Sequence, residues 1–423
     1  MLRVDRICVY IIMLGMVFII PGIKFITYLD EFCAMLFGGI AVLDCIVNGN
    51  WRKYKLLWII MSIITLYAVY SLTMVRFNVP RAIFLDWVIS VKPFIPFIVM
   101  FAIAPKFTQA DKKIIKVICL LNAAVLSVAF LCGHSVVQAV VFHVTYGGTT
   151  IFMSMMLYLY CSIGNDGQIS KKALTIAIVF LTFGLLCTRA KYFGIYVLSL
   201  YFLYAYRPGV LRHLTLTRLI GLLMIAGLVI AVSWHKIEYY FLTGNSGTFD
   251  PTVAESFARP VLYATSFLIF LDFFPFGSGL ASFATHASEH YYSDLYYYYG
   301  IDKVWGLSPS YPNFICDAYY PSLAQFGIIG LILFMFFWRY CYKFLRIFIR
   351  QNATKYRFSF VIGSLIICFI MIECTSGNTF TQIVGTFAMG LLGMLCAQGR
   401  ELQESQSDRE CELAQEKLQI RKI

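Results

Sequence analysis

The chain has 423 residues, of which 60% are hydrophobic, 17% aromatic and only 13% charged, and its mean hydropathy is +0.75. Soluble chains are about a quarter charged, so a water-soluble domain, a disordered chain and a collagen-like fibre are excluded. The net charge of +12 does not point to nucleic acid, because the cations stand in short clusters between apolar runs, as in the cytoplasmic loops of membrane proteins.

Those runs are continuously apolar over about the 20 residues that a membrane-crossing helix needs, as in LLWIIMSIITLYAVYSL (56–72). Barrel strands would alternate over about ten residues. The expected fold class is all-α, a polytopic membrane protein. The N-terminus, MLRVDR followed by an apolar run, lacks a small-residue cleavage site before Pro21, so it reads as a first span and not as a signal peptide. About 12 spans follow from hydropathy, near 7–21, 31–47, 56–74, 84–104, 114–132, 146–163, 173–188, 192–206, 217–234, 322–343, 357–374 and 380–398. The fourth contains Lys92, Pro93 and Pro96, which predicts a kinked helix packed against protein.

With the N-terminus in the cytoplasm, 25 of the 34 Lys and Arg residues fall inside. They include Arg52 and Lys53 in the second turn, Lys112 and Lys113 in the fourth, and the run from Arg339 to Arg357. The positive-inside rule therefore places both termini in the cytoplasm. Four regions result: spans one to nine over 1–234, an outer loop over 235–321, spans ten to twelve over 322–398, and a polar cytoplasmic tail over 399–423. A structureless loop of that size is uncommon in a compact protein, so short helices are expected in it. The apolar run from Phe257 to Phe274, interrupted by Arg259 and Asp272, reads as an interfacial or re-entrant helix. The chain carries no internal repeat, which weighs against a transporter built from related halves.

Outward cations are scarce, and each is a candidate for binding an anion at the membrane surface. Arg189 and Lys191 lie in the short turn CTRAKYFG (187–194), Arg259 in SFARPVLY (256–263), and Arg76 and Arg81 in MVRFNVPRAI (74–83). Arginine suits phosphate because its planar fork donates two hydrogen bonds and keeps its charge; the bland alternative is snorkelling to lipid headgroups. Five of the six histidines, among them His143, His286 and His290, also fall outside. His286-Ala-Ser-Glu289-His290 matches the H-x-x-E-H zinc pattern, but no third ligand stands out, so no metal or other cofactor is expected. The 13 cysteines form no CxxC pair and read as small buried apolar residues. The tyrosine-rich stretch YYSDLYYYYG (291–300), with Trp305, Tyr311, Tyr319 and Tyr320, is either an interfacial aromatic belt or a platform for sugar rings.

Three stretches together resemble the bacterial O-antigen polymerase and O-antigen ligase superfamily of integral-membrane, GT-C-like glycosyltransferases. TRAKYFG (188–194) is similar to the family's Thr-Arg turn that opens an outer-facing helix. ARPVLYATSFLIFLDFFPFGSGLASF (258–283) resembles its outer-loop arginine, apolar helix and Pro-x-Gly-x-Gly-x-x-x-Phe turn. DAYYPSLAQFGIIGLILF (317–334) is similar to the polar residue and Gly-Ile-Ile-Gly stretch that open the next span. The resemblance covers residues 180–345; the first half agrees in span count.

The resemblance implies an inverting, metal-independent enzyme of the bacterial inner membrane that works on undecaprenyl-diphosphate-linked glycans at the periplasmic face. Arg189 and Arg259 would bind the donor diphosphate. Ligases place a histidine before Gly-Ile-Ile-Gly, whereas this chain has Phe314-Ile-Cys-Asp317-Ala-Tyr, which makes Asp317 the expected base and favours a polymerase. Lys191, Arg76, Arg81, His286, His290 and Tyr319 are the further substrate-binding candidates. The implied partners are the lipid-linked donor, a glycan or lipid A-core acceptor, membrane lipids and, for a polymerase, a chain-length regulator. The rival readings are a ligase that transfers finished glycan to lipid A-core and a polytopic transporter or flippase.

Overall fold

A backbone that crosses lipid must satisfy its own amide and carbonyl groups, which a helix does within one segment. The computed structural model describes residues 4–26, 28–206, 227 and 257–420, with side chains in the last helix described as far as Asp408. Every regular element among the described residues is helical apart from one isolated bridge, Ser308 to Tyr311. In order these are α1 (Val4–Val17), α2 (Ile19–Lys24), α3 (Leu29–Asn48), α4 (Lys55–Thr73), α5 (Pro80–Val91), α6 (Phe94–Ile103) and α7 (Gln109–Cys132). Then come α8 (His134–Val141), α9 (Val144–Cys161), α10 (Lys171–Gly184) and α11 (Ala190–Leu200). The later helices are α12 (Ala258–Asp272), α13 (His286–His290), α14 (Asp294–Tyr298), α15 (Tyr319–Ser322), α16 (Gly327–Asn352), α17 (Arg357–Glu373) and α18 (Ile383–Ile420). A helix lies over each predicted segment except 217–234, of which only residue 227 is described.

Among the described residues, five helical stretches are long and apolar enough to cross a membrane: Trp51–Thr73, Pro80–Ile103, Gln109–Cys132, Tyr319–Asn352 and Ile383–Asp408. A sixth is added if α8 and α9, bent by 72° at their junction, count as one span. Trp51–Thr73 buries only 22% of its most apolar stretch in the protein, whereas Ile383–Asp408 buries 89%. The first therefore faces the surroundings and the last is core. The outward side chains Ile46, Val47, Leu66, Phe84, Leu131 and Met335 are between 65% and 71% exposed, an apolar surface that only lipid tails would cover at no cost.

The core forms where α18 meets α6, and α9 is buried along its whole length from Gly147 to Cys161. Gly393 on α18 sits so close to α6 that a Cβ would lie 2.3 Å from the Phe97 carbonyl oxygen; small residues of this kind let membrane helices approach closely. Between α5 and α6, Lys92 and Pro93 interrupt the helix, and Lys92 Nζ is 2.6 Å from both Asp30 and Glu31. The predicted packing of this segment against protein thus has a specific partner, the first turn of α3. α18 has 38 residues, about 57 Å at 1.5 Å per residue, so its polar end extends past a bilayer core of about 30 Å.

Polar contacts tie the turns into two groups. Arg6 makes two hydrogen bonds to Asp111, whose carboxylate also closes a capping box with Thr108 at the start of α7. Asp44 accepts from Asn48, Asn50 and Tyr54, and Gln168 reaches the Thr354 carbonyl. At the other group, the Gly-x-Gly turn 275–283 is held on the α4–α5 hairpin. Ser71 accepts from the Leu280 amide, Asp86 from the Ala281 amide, and Asn78 donates to the Ala281 and Tyr291 carbonyls. Gly277, at φ +81°, is required there, because a Cβ would lie 2.3 Å from the Ala324 oxygen and the Gly327 nitrogen. Leu262, Ile269, Phe283, Leu295, Tyr296 and Ile315 form a separate apolar core beneath this outer segment.

Candidate functional site

Three stretches far apart in sequence meet beside this segment: the 187–191 turn, the start of α12 and the 374–382 turn. Thr188, at φ +53°, reverses the chain, so that Arg189 stands at the N-terminal end of α11. Its Nη2 donates to His143 Nε2 at 2.9 Å; guanidinium has no acceptor, so this ring nitrogen carries no proton. The Thr145 amide also faces the ring, 3.3 Å from Nδ1. With Nε2 accepting, the neutral ring carries its proton on Nδ1, so the Thr145 contact is not a hydrogen bond in this tautomer.

Arg259, in the first turn of α12, forms an ion pair with Asp317. Both side chains are about one-third exposed. One turn on, Tyr263 donates to the Thr375 carbonyl at 2.9 Å, and the Tyr319 amide donates to the Cys374 carbonyl at 3.1 Å. Tyr263 and Lys191 bond the adjacent residues Thr375 and Ser376, which brings the Arg259 end of α12 and the Arg189 end of α11 to one turn, and the charges of Arg189, Lys191 and Asp317 all act on His143. Tyr146 borders it and accepts from Gln382 at 3.1 Å. Among the described residues, Arg189 Nε and Arg259 Nε are both buried with no hydrogen-bond partner. An unmet buried donor on a cation is costly.

The remaining sequence candidates divide. Lys191 faces inward: its Nζ is 2.6 Å from Glu373 and 3.1 Å from the Ser376 carbonyl, and it pins α11 to the end of α17. The ion pair gives Lys191 a structural partner, as Asp317 is for Arg259. Tyr319 packs against Phe334 and Phe380 and lines an apolar groove of about 110 Å³ with Ile60, Tyr67, Phe94 and Phe337. Arg76, in the loop after α4, bonds the Leu72 carbonyl at the end of that helix, Arg81 is exposed, and no described contact brings either to the Arg259–Asp317 pair.

His286 and His290 form a second cluster. His286 Nδ1 is 3.4 Å from Glu289, and the carboxylate raises the imidazole pKa above its ordinary value against the opposing effect of burial. Burial alone would lift Glu289, but bonds to His286 and Cys316 outweigh it and hold the carboxyl below its usual range. Cys316 donates its thiol proton to Glu289 at 2.8 Å, and burial pushes that thiol well above its ordinary pKa.

Compared with known proteins, the chain matches no family model and no curated sequence.

Sequence reasoning missed His143 and Cys316 as members of these clusters. His143 belongs to the outward histidines, but nothing local marks it as the partner of Arg189. Cys316 stands beside Asp317 and, counted among apolar cysteines, gives no sign that it faces Glu289.

Proposed function

We propose that the chain is an inverting glycosyltransferase of the bacterial inner membrane, an O-antigen or capsular polysaccharide polymerase. It would join undecaprenyl-diphosphate-linked repeat units at the periplasmic face. Twelve spans with both termini cytoplasmic put the Arg189–Arg259 centre on that face, and the charge distribution supports this orientation. The observation that carries the reading is the pair of arginines at one turn, Arg189 bonded to a neutral His143 and Arg259 paired with Asp317.

In the reaction, the bond between sugar C1 and the diphosphate oxygen breaks while the acceptor hydroxyl oxygen bonds C1 from the opposite face. Arg189 and Arg259 stabilise the charge that develops on the departing diphosphate. The diphosphate draws Arg259 from its ion pair, and the freed Asp317 carboxylate receives the hydroxyl proton. The apolar groove at Tyr319 suits part of the lipid chain. His143 favours the ligase alternative in one respect: it brings an imidazole within electrostatic reach of Asp317, although from another part of the chain than the ligase histidine.

The purified chain in proteoliposomes, supplied with a single lipid-linked repeat unit, distinguishes these. A product ladder without lipid A-core supports the polymerase; transfer only after lipid A-core is added supports the ligase. No transfer with either acceptor contradicts both.

A further inference from the structure

The geometry points to a divalent transition-metal site, best suited to Zn²⁺, formed by His286, Glu289 and Cys316. One ligand atom from each lies within 4.8 Å of the others. His286 Nδ1 and Cys316 Sγ approach the same carboxylate oxygen of Glu289, at 3.4 and 2.8 Å. Tetrahedral zinc with bonds of about 2.0–2.3 Å holds neighbouring ligand atoms roughly 3.3–3.8 Å apart. The imidazole–carboxylate spacing already fits, and the thiol–carboxylate spacing is shorter because a proton now bridges the two atoms.

The donor set is chemically selective. Thiolate and imidazole favour zinc and its neighbours over magnesium or calcium. When the ion enters, Cys316 releases its thiol proton to solvent, the sulfur and the carboxylate each give the metal a lone pair, and the two anions offset its double charge. His286 has a side chain 59% exposed, which leaves a path for the ion from solvent. A fourth ligand would come from solvent; the ring of His290 lies 6.3 Å from that of His286.

Helix spacing on α13 supplies His286 and Glu289; the third ligand comes from a separate loop and carries Asp317 next in sequence. A bound ion would therefore fix the backbone that presents Asp317 to Arg259. This is a positioning role, and the site stands whether or not the glycosyl-transfer reading is right.

The test is metal binding by the purified full-length chain in detergent, using Zn²⁺ and, as a spectroscopic reporter, Co²⁺. About one zinc per chain is expected, together with a thiolate-to-cobalt charge-transfer band. Cys316→Ser should remove the band and weaken zinc binding by more than the ~10–100-fold that loss of a mere outer-shell partner costs. His286→Gln should weaken zinc binding as strongly while leaving the thiol in place, and zinc should raise the thermal midpoint of the parent but of neither variant. Each variant is checked for a monodisperse elution profile. Cobalt binding without a thiolate band, a band that survives Cys316→Ser, or zinc affinity unchanged in both variants would overturn the assignment.

Discussion

Replacing Lys191 by Met separates a structural cation from a substrate-binding one. The Lys191 side chain is 11% exposed and its partner Glu373 only 1%, with 2.6 Å between the charged atoms. Removing the ammonium leaves a buried carboxylate without its counter-charge, which costs about 3–5 kcal/mol. Unfolding entropy of about 2.1 cal/mol/K per residue converts this, for a chain of this length, to a fall of roughly 3–6 °C in thermal midpoint. Glu373→Gln in the same chain removes the stranded charge, so the double variant should recover most of the loss. The assay is thermal unfolding in detergent of parent, Lys191→Met, Glu373→Gln and the double variant, read as a double-mutant cycle. Additive losses, or a Lys191→Met protein as stable as the parent, would refute the assignment of Lys191 to the ion pair.

Arg189→Ala and Arg259→Ala should each lower turnover of a lipid-linked donor about 10²–10³-fold, the usual effect of losing one donor to a developing oxyanion, with unchanged membrane insertion. Arg259→Lys should restore only part of the rate, because an ammonium cannot pair bidentately; donor titration and initial rates measure this. Asp86→Leu leaves the Ala281 amide and Gln325 without their acceptor. Limited proteolysis should then cut the 275–285 turn faster, in keeping with a loss of about 1–3 kcal/mol per stranded group. Gly277→Ala should lower the yield of monodisperse protein, since its Cβ meets two backbone atoms at 2.3 Å.

Much of the helical layout is legible in the sequence because its apolar runs are long enough to have one physical solution in lipid. Pro80 at the start of α5 and the Thr108 capping box mark two helix starts locally. The Gly-x-Gly turn is legible too, since Gly277 and Gly279 take left-handed backbone. What escapes the sequence is made through space. Lys191 and Arg189 are two residues apart at the start of one helix, yet one turns inward to Glu373 and the other to His143. No local pattern separates them, because the deciding partners lie about 180 residues later and 46 residues earlier. Likewise nothing in the sequence around H-x-x-E-H announces that the fold brings Cys316 to Glu289.

The central claim is that Arg189 and Arg259 hold a lipid-linked diphosphate while a glycosidic bond forms. The most direct measurement is conversion of a defined undecaprenyl-diphosphate-linked repeat unit by the purified chain in proteoliposomes, with anomeric configuration read by NMR. The account predicts a ladder of products with inverted linkages, lost in Arg189→Ala and in Arg259→Ala. Retained configuration, or equal ladders from the parent and both folded variants, would contradict it.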